Sequence, residues 1–262
     1  MLFSILNCMM LSFVKGRMAA MDKVIAKIIN KVVLSERTVH IKLLGDSITH
    51  GVGGTGFEQN GEIIIDNFAR NNYGYCWAKM FKEYMESQFD CVVTNNACSG
   101  TQIEFIINNF DKLVDKQDDI VICTIGTNNR HQYFTDAPKH TRREHMETFY
   151  NNIVKLHNKF IEAQKSVIFV ANIPATAENE KDSETFWRVI HMDDINNLYM
   201  KAASVYEFPF ISMYSLFLEY CEIKNISVDS LLDDGLHPND KGHEIIFKLL
   251  LNALGLGRKI CQ

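Results

Sequence analysis

A serine sits in Gly45-Asp46-Ser47-Ile48-Thr49-His50-Gly51, and a histidine follows an aspartate by three positions in Asp233-Asp234-Gly235-Leu236-His237-Pro238-Asn239. A serine hydroxyl is a weak nucleophile until a neighbouring base takes its proton, and an imidazole does this best when a carboxylate fixes its tautomer and stabilises the imidazolium. Ser47, His237 and Asp234 thus offer a nucleophile, a general base and an orienting group. Each also has an ordinary structural reading. Ser and Asp cap helices where a strand turns into one, Asp234 suits a turn, and His237 precedes a proline at a helix start.

Attack on an ester carbonyl places negative charge on its oxygen, so such a site also needs donors aimed there. Asn96-Ala97-Cys98-Ser99-Gly100 and Gly126-Thr127-Asn128-Asn129 supply two candidates. At Gly100 the backbone can approach a substrate closely, and the Asn128 amide is a neutral donor that needs no deprotonation, so both can join the Ser47 N–H in an oxyanion hole. Taken singly, each motif reads as well as turn chemistry. His50 and His131 lie near these residues in sequence, where they either contact substrate or face solvent, and they stay outside the catalytic assignment.

These motifs act together only if the chain brings them to one place. The hydrophobic pattern predicts strands at Val39 to Leu44, Cys91 to Asn95, Ile120 to Ile125, Val167 to Ala171 and Phe208 to Ile211. Helices are predicted at Tyr75 to Phe89, Thr101 to Leu113, Arg142 to Ala163, Asp193 to Val205 and Asn239 to Leu254. Alternation of this kind predicts an α/β fold, a five-stranded parallel sheet covered by helices on both faces as a three-layer α/β/α sandwich. Ligands bind at the carboxyl ends of such strands, and three of the motifs fall there while the fourth opens the last helix. The stretch from Gly51 to Tyr73, rich in Gly and Asn, reads as an active-site loop.

With 262 residues, the chain is long enough for one full core, and the expectation is an N-terminal extension over 1–37 followed by one domain over 38–262. A net charge of -5 gives no general attraction to phosphate backbones, which argues against nucleic acid as substrate. Seven scattered cysteines without a Cys-x-x-Cys pair read as core thiols of a reducing compartment, and a cytoplasmic location is the default expectation. The apolar run from Leu2 to Val14 is shorter than the roughly 17–25 residues of a spanning helix and lacks signal-peptide flanks; Met18 and Met21 offer alternative starts. Within 22–34, Val24, Ile25, Ile28, Ile29, Val32 and Val33 recur at helical spacing beside Lys23, Lys27 and Lys31. The apolar face alone accounts for this pattern as a helix docked on the domain; the alternative is a weak membrane or partner contact.

Four motifs in the order serine, glycine, asparagine, aspartate-x-x-histidine are hard to assign to independent turns. In them the chain resembles the SGNH/GDSL hydrolases over roughly Val39 to Leu254, with Asn129 departing from an aspartate usual at that place. The resemblance implies a flavodoxin-like sheet of order 2-1-3-4-5, no metal or organic cofactor, and ester hydrolysis through an acyl-serine. It implies no single substrate, since the family includes carbohydrate O-deacetylases, lipases, lysophospholipases and thioesterases. Without an obvious long apolar lid, the expectation leans to a small acyl group, acetyl for instance, on a saccharide. Transfer to a saccharide acceptor, a lipase or lysophospholipase activity, and a non-catalytic carbohydrate-binding module are the alternatives, and oligomeric state stays open.

Overall fold

The computed structural model describes residues 23–58, 65–70, 74–136 and 138–257. The apolar run from Leu2 to Val14, Met18, Met21 and part of the Gly51 to Tyr73 loop lie outside them.

In chain order, α1 (23–33) leads into β1 (Val39–Gly45), the short α2 (Ser47–His50) and α3 (Asn67–Arg70), then α4 (Trp77–Gln88) and β2 (Cys91–Asn95). Next come α5 (Ile103–Asn108), α6 (Phe110–Leu113), β3 (Ile120–Thr124), β4 (His131–Tyr133), α7 (Arg142–Glu162) and β5 (Ser166–Ala171). The chain continues through β6 (Phe186–Arg188), α8 (Met192–Tyr206), β7 (Phe210–Ser212), α9 (Met213–Lys224) and α10 (Asp240–Ala253).

Strands β2-β1-β3-β5-β7 form one parallel sheet in that order, which is the anticipated 2-1-3-4-5 arrangement once the short β4 and β6 are set aside. Alternation along the strands builds both outer layers, because successive side chains point to opposite faces. Ile120 and Ile122 of β3 join one core with α4, α9 and α10, while Val121 and Cys123 join the other with α5, α7 and α8. The apolar face of α1 is buried in the first of these cores through Ile25, Ile28, Ile29 and Val32.

Three features depart from the expected pattern. The segment from Thr101 to Leu113 breaks at Asn109 into two short helices. Helix α9 has no counterpart among the predicted elements, because its apolar residues are spread around its circumference and give no stripe. The third is an antiparallel ribbon in which His131, Gln132 and Tyr133 pair with Arg188, Trp187 and Phe186. Two three-residue strands so far apart in sequence carry no readable period. Among the described residues, no helix is long and apolar enough to cross a membrane.

Candidate active site

Register brings the motifs to one edge of the sheet. Gly45 pairs with Thr124 and Leu43 with Asn95, so β1, β2 and β3 end side by side and release their following turns together. Gly45 is a packing requirement: a Cβ there would lie 2.5 Å from Thr49 Oγ1 and 2.6 Å from the Thr124 carbonyl oxygen. After it the chain turns sharply into α2. Asp46 caps that helix by accepting from Ile48 N at 3.2 Å, which makes Ser47 its first residue. Asp46 is fully buried, and burial raises its carboxyl above the ordinary carboxylate range. Its second oxygen accepts from Asn172 Nδ2 at 2.9 Å, and Asn172 also donates to Thr127 Oγ1 at 2.6 Å. Three strand ends are thereby tied beneath Ser47, through Asn172, a residue outside every motif.

From the other side, the turn before α10 carries Asp234 and His237. Ser47 Oγ lies 2.8 Å from His237 Nε2, and His237 Nδ1 lies 2.7 Å from Asp234 Oδ2. Asp234 also performs the turn role: its Oδ1 accepts from Leu236 N at 3.0 Å and His237 N at 2.8 Å. With two oxygens, one carboxylate holds the loop and orients the ring at once. Burial raises the Asp234 carboxyl, but the bonds from the His237 backbone and ring, the His237 charge and the Leu236 N–H outweigh it and leave the pKa below its ordinary value. A carboxylate bonded to Nδ1–H leaves Nε2 as an acceptor for the serine proton.

The candidate donors lie on the turns that follow β2 and β3. Gly100 is exposed with φ +76°, a left-handed conformation that favours glycine, and beyond its two chain neighbours no atom lies within 4 Å of where its Cβ would be. Asn128 donates one amide N–H to the Thr101 carbonyl at 2.9 Å, so the two donor segments are joined at the residue after Gly100. Gln102 Nε2 donates to the Asn128 carbonyl at 3.0 Å. Asn129 supports the same junction as a neutral amide, accepting from Ile103 N and donating to Glu104, each at 2.9 Å.

Neither remaining histidine faces solvent. His50 is buried, shares a 2.7 Å hydrogen bond with Ser99 Oγ and packs edge-on to Phe57; burial lowers its pKa to about 4. His131 packs against Tyr133 and Phe186 of the ribbon, and burial, assisted by Arg188 and Arg130, lowers it to about 4 as well. Sequence reasoning also missed Arg130, buried under the site, which pairs with Glu180 at 2.9 Å. A lone arginine after a motif gives no sign of such burial. Among the described residues, no group of three or more His, Cys, Asp or Glu could hold a metal ion.

A serine, imidazole and carboxylate joined in series at the carboxyl edge of a parallel sheet define a hydrolase-type α/β sandwich. The GDSL-like lipase/acylhydrolase family matches residues 43–245, and the chain belongs to it; it is a hydrolase of carboxylic esters. Among solved structures, the fold is similar to the α/β hydrolase LAE5 from the metagenome of Lake Arreo, Spain. The TM-score is 0.61 at 19% identity over 85% of this chain and 97% of that one. Axe2, an acetylxylan esterase from Geobacillus stearothermophilus, is similar at TM-score 0.61 and 19% identity, over 84% of this chain and 95% of its own. Comparison with curated proteins finds no match.

Proposed function

We propose that this esterase removes small acyl groups, acetyl above all, from saccharide esters through an acyl-serine intermediate. Ser47 Oγ attacks the ester carbonyl carbon while its proton passes to His237 Nε2. The new oxyanion accepts hydrogen bonds from Ser47 N–H, Gly100 N–H and the second Asn128 amide N–H. Collapse breaks the bond to the alkoxy oxygen, which leaves as the alcohol with the proton from Nε2. Water then attacks the acyl-serine, giving its proton to Nε2, and the acid departs as Ser47 is restored. Asp234 keeps the ring's other proton at Nδ1 throughout.

The observation that carries this reading is the continuous Ser47–His237–Asp234 hydrogen-bond series. A saccharide leaving group is compatible with an open depression of about 260 Å³ beside the carboxylate end of that series, which Asp234 lines with Thr176, Asn179, Asp182, Phe186 and Arg188 and which does not itself reach Ser47 or His237. Hydroxyl-rich ligands suit such a wall, where an aromatic ring adjoins both donors and acceptors, whereas a fatty acyl chain leaves these groups unpaired. The acetylxylan esterase activity of Axe2 agrees with this choice.

A p-nitrophenyl ester series from acetate to palmitate, with acetylated xylooligosaccharides alongside, tests the proposal. Turnover of acetate and acetylated saccharide is expected, with loss in Ser47→Ala. A long-chain optimum would replace the saccharide reading with a lipid one, and turnover retained in folded Ser47→Ala would remove the nucleophile.

A further inference from the structure

We propose that Glu104 is a positioning residue for the oxyanion donors, holding the Asn128 segment at a set separation from Gly100; this rests on the acyl-serine reading above. The loop carrying Asn128 is fastened to the segment after Gly100 by a run of hydrogen bonds. Asn128 Nδ2 donates to Thr101 O, Gln102 Nε2 to Asn128 O, and Ile103 N to Asn129 Oδ1. All of these join neutral groups. The one charged member is Glu104, whose Oε2 accepts from Asn129 Nδ2 at 2.9 Å and whose Oε1 accepts from Asn152 Nδ2 at 2.7 Å.

Bonds to an ionised acceptor are about twice as strong as neutral ones. This carboxylate therefore dominates the junction and ties it to α7, itself fixed in the core by Phe149 and Ile153. His145 of α7 completes the clamp, its Nε2 lying 2.6 Å from the Asn129 carbonyl oxygen. The hydrogen bonds of the Glu104 carboxylate go to Asn129 and Asn152. Its effect passes through Asn129 to the adjacent Asn128, as outer-shell partners orient inner ones at other sites.

Asn129→Asp is the direct perturbation. Its Oδ1 keeps the bond from Ile103 N, but its second oxygen replaces Nδ2 opposite Glu104 Oε2, and two carboxylates so close cannot both ionise without moving apart. The other groups facing the pair are the neutral Asn152 and the titratable His145, with His140 beside His145. At pH 8 with p-nitrophenyl acetate, kcat is expected to fall about 10- to 100-fold from a displaced donor, with KM changed by less than about threefold. The deficit relative to wild type narrows as pH falls, because one proton shared by the two carboxyls restores the bridge.

Asn129→Asp/Glu104→Gln should recover kcat to within about threefold of wild type, because the amide introduced at position 104 can donate to the new carboxylate. Its deficit should not narrow at low pH. A purely structural role would move the thermal midpoint of both variants and leave kcat, KM and the pH profile of the folded protein alone. Wild-type kcat for Asn129→Asp at pH 8, or a folded double variant no better than the single, overturns the proposal. Absence of Ser47-dependent turnover in the wild type would instead remove the reading beneath it.

Discussion

Replacing Asp234 by Asn tests how the carboxylate divides its work. The native side chain accepts three hydrogen bonds: 2.7 Å from His237 Nδ1, 2.8 Å from His237 N and 3.0 Å from Leu236 N. An amide has one acceptor oxygen. If that oxygen keeps the two backbone donors, the NH2 faces Nδ1 and forces the proton onto Nε2, where it blocks proton uptake from Ser47. If the amide turns over, the loop loses both backbone bonds. The first outcome removes one hydrogen bond to a charged group, worth about 1.5–3 kcal/mol, or a kcat loss of about 10- to 150-fold; the second removes two, both from the loop backbone. A fully enclosed triad aspartate loses about 10⁴-fold on the same change. The smaller figure applies here because the Asp234 side chain is 53% exposed, so water can solvate the imidazolium in place of the lost charge. Initial rates with p-nitrophenyl acetate at pH 8 measure it, with the thermal midpoint as a check on folding. A kcat within about twofold of wild type, outside the range derived from that bond energy, would refute the orienting role. A loss down to the Ser47→Ala background would refute the solvation argument.

Two further outcomes concern the scaffold. Gly45→Ala should cost about 1–3 kcal/mol by overpacking, since its Cβ meets the Thr124 backbone as well as the Thr49 side chain; an unchanged thermal midpoint would contradict that close packing. His243 is fully buried behind the His237 loop, near the Trp77 N–H and the Val52 carbonyl, and burial lowers its pKa to about 4. Between about pH 6.5, the unfolded value, and pH 4 the unfolded chain binds the extra proton, so stability falls as pH falls through that window. His243→Gln should flatten that slope in denaturant titrations at pH 4 to 7. An identical slope would show that this histidine does not contribute to it.

Much of the fold and the serine–histidine pair were legible in the residues themselves. Strands such as Ile120–Thr124 are buried on both faces and therefore read as unbroken apolar runs. The long helix α7 shows its period because only one side is buried. Ser47, Gly100, Asn128 and His237 stood out because the proposed ester chemistry restricts the residue types that can serve, and a parallel sheet puts strand ends on one edge.

Tertiary structure decided the rest. Hydrogen bonds between segments far apart in the chain leave no period and no motif: Asp46 with Asn172, Asn129 with Glu104, Glu104 with Asn152. The β4–β6 ribbon depends on pairing two three-residue pieces, each too short to signal itself. Burial of His50, His131 and Arg130 is set by the elements that close over them. Local spacing determines which chemistry the chain carries; the distance and protonation of each group depend on neighbours that only folding brings within reach.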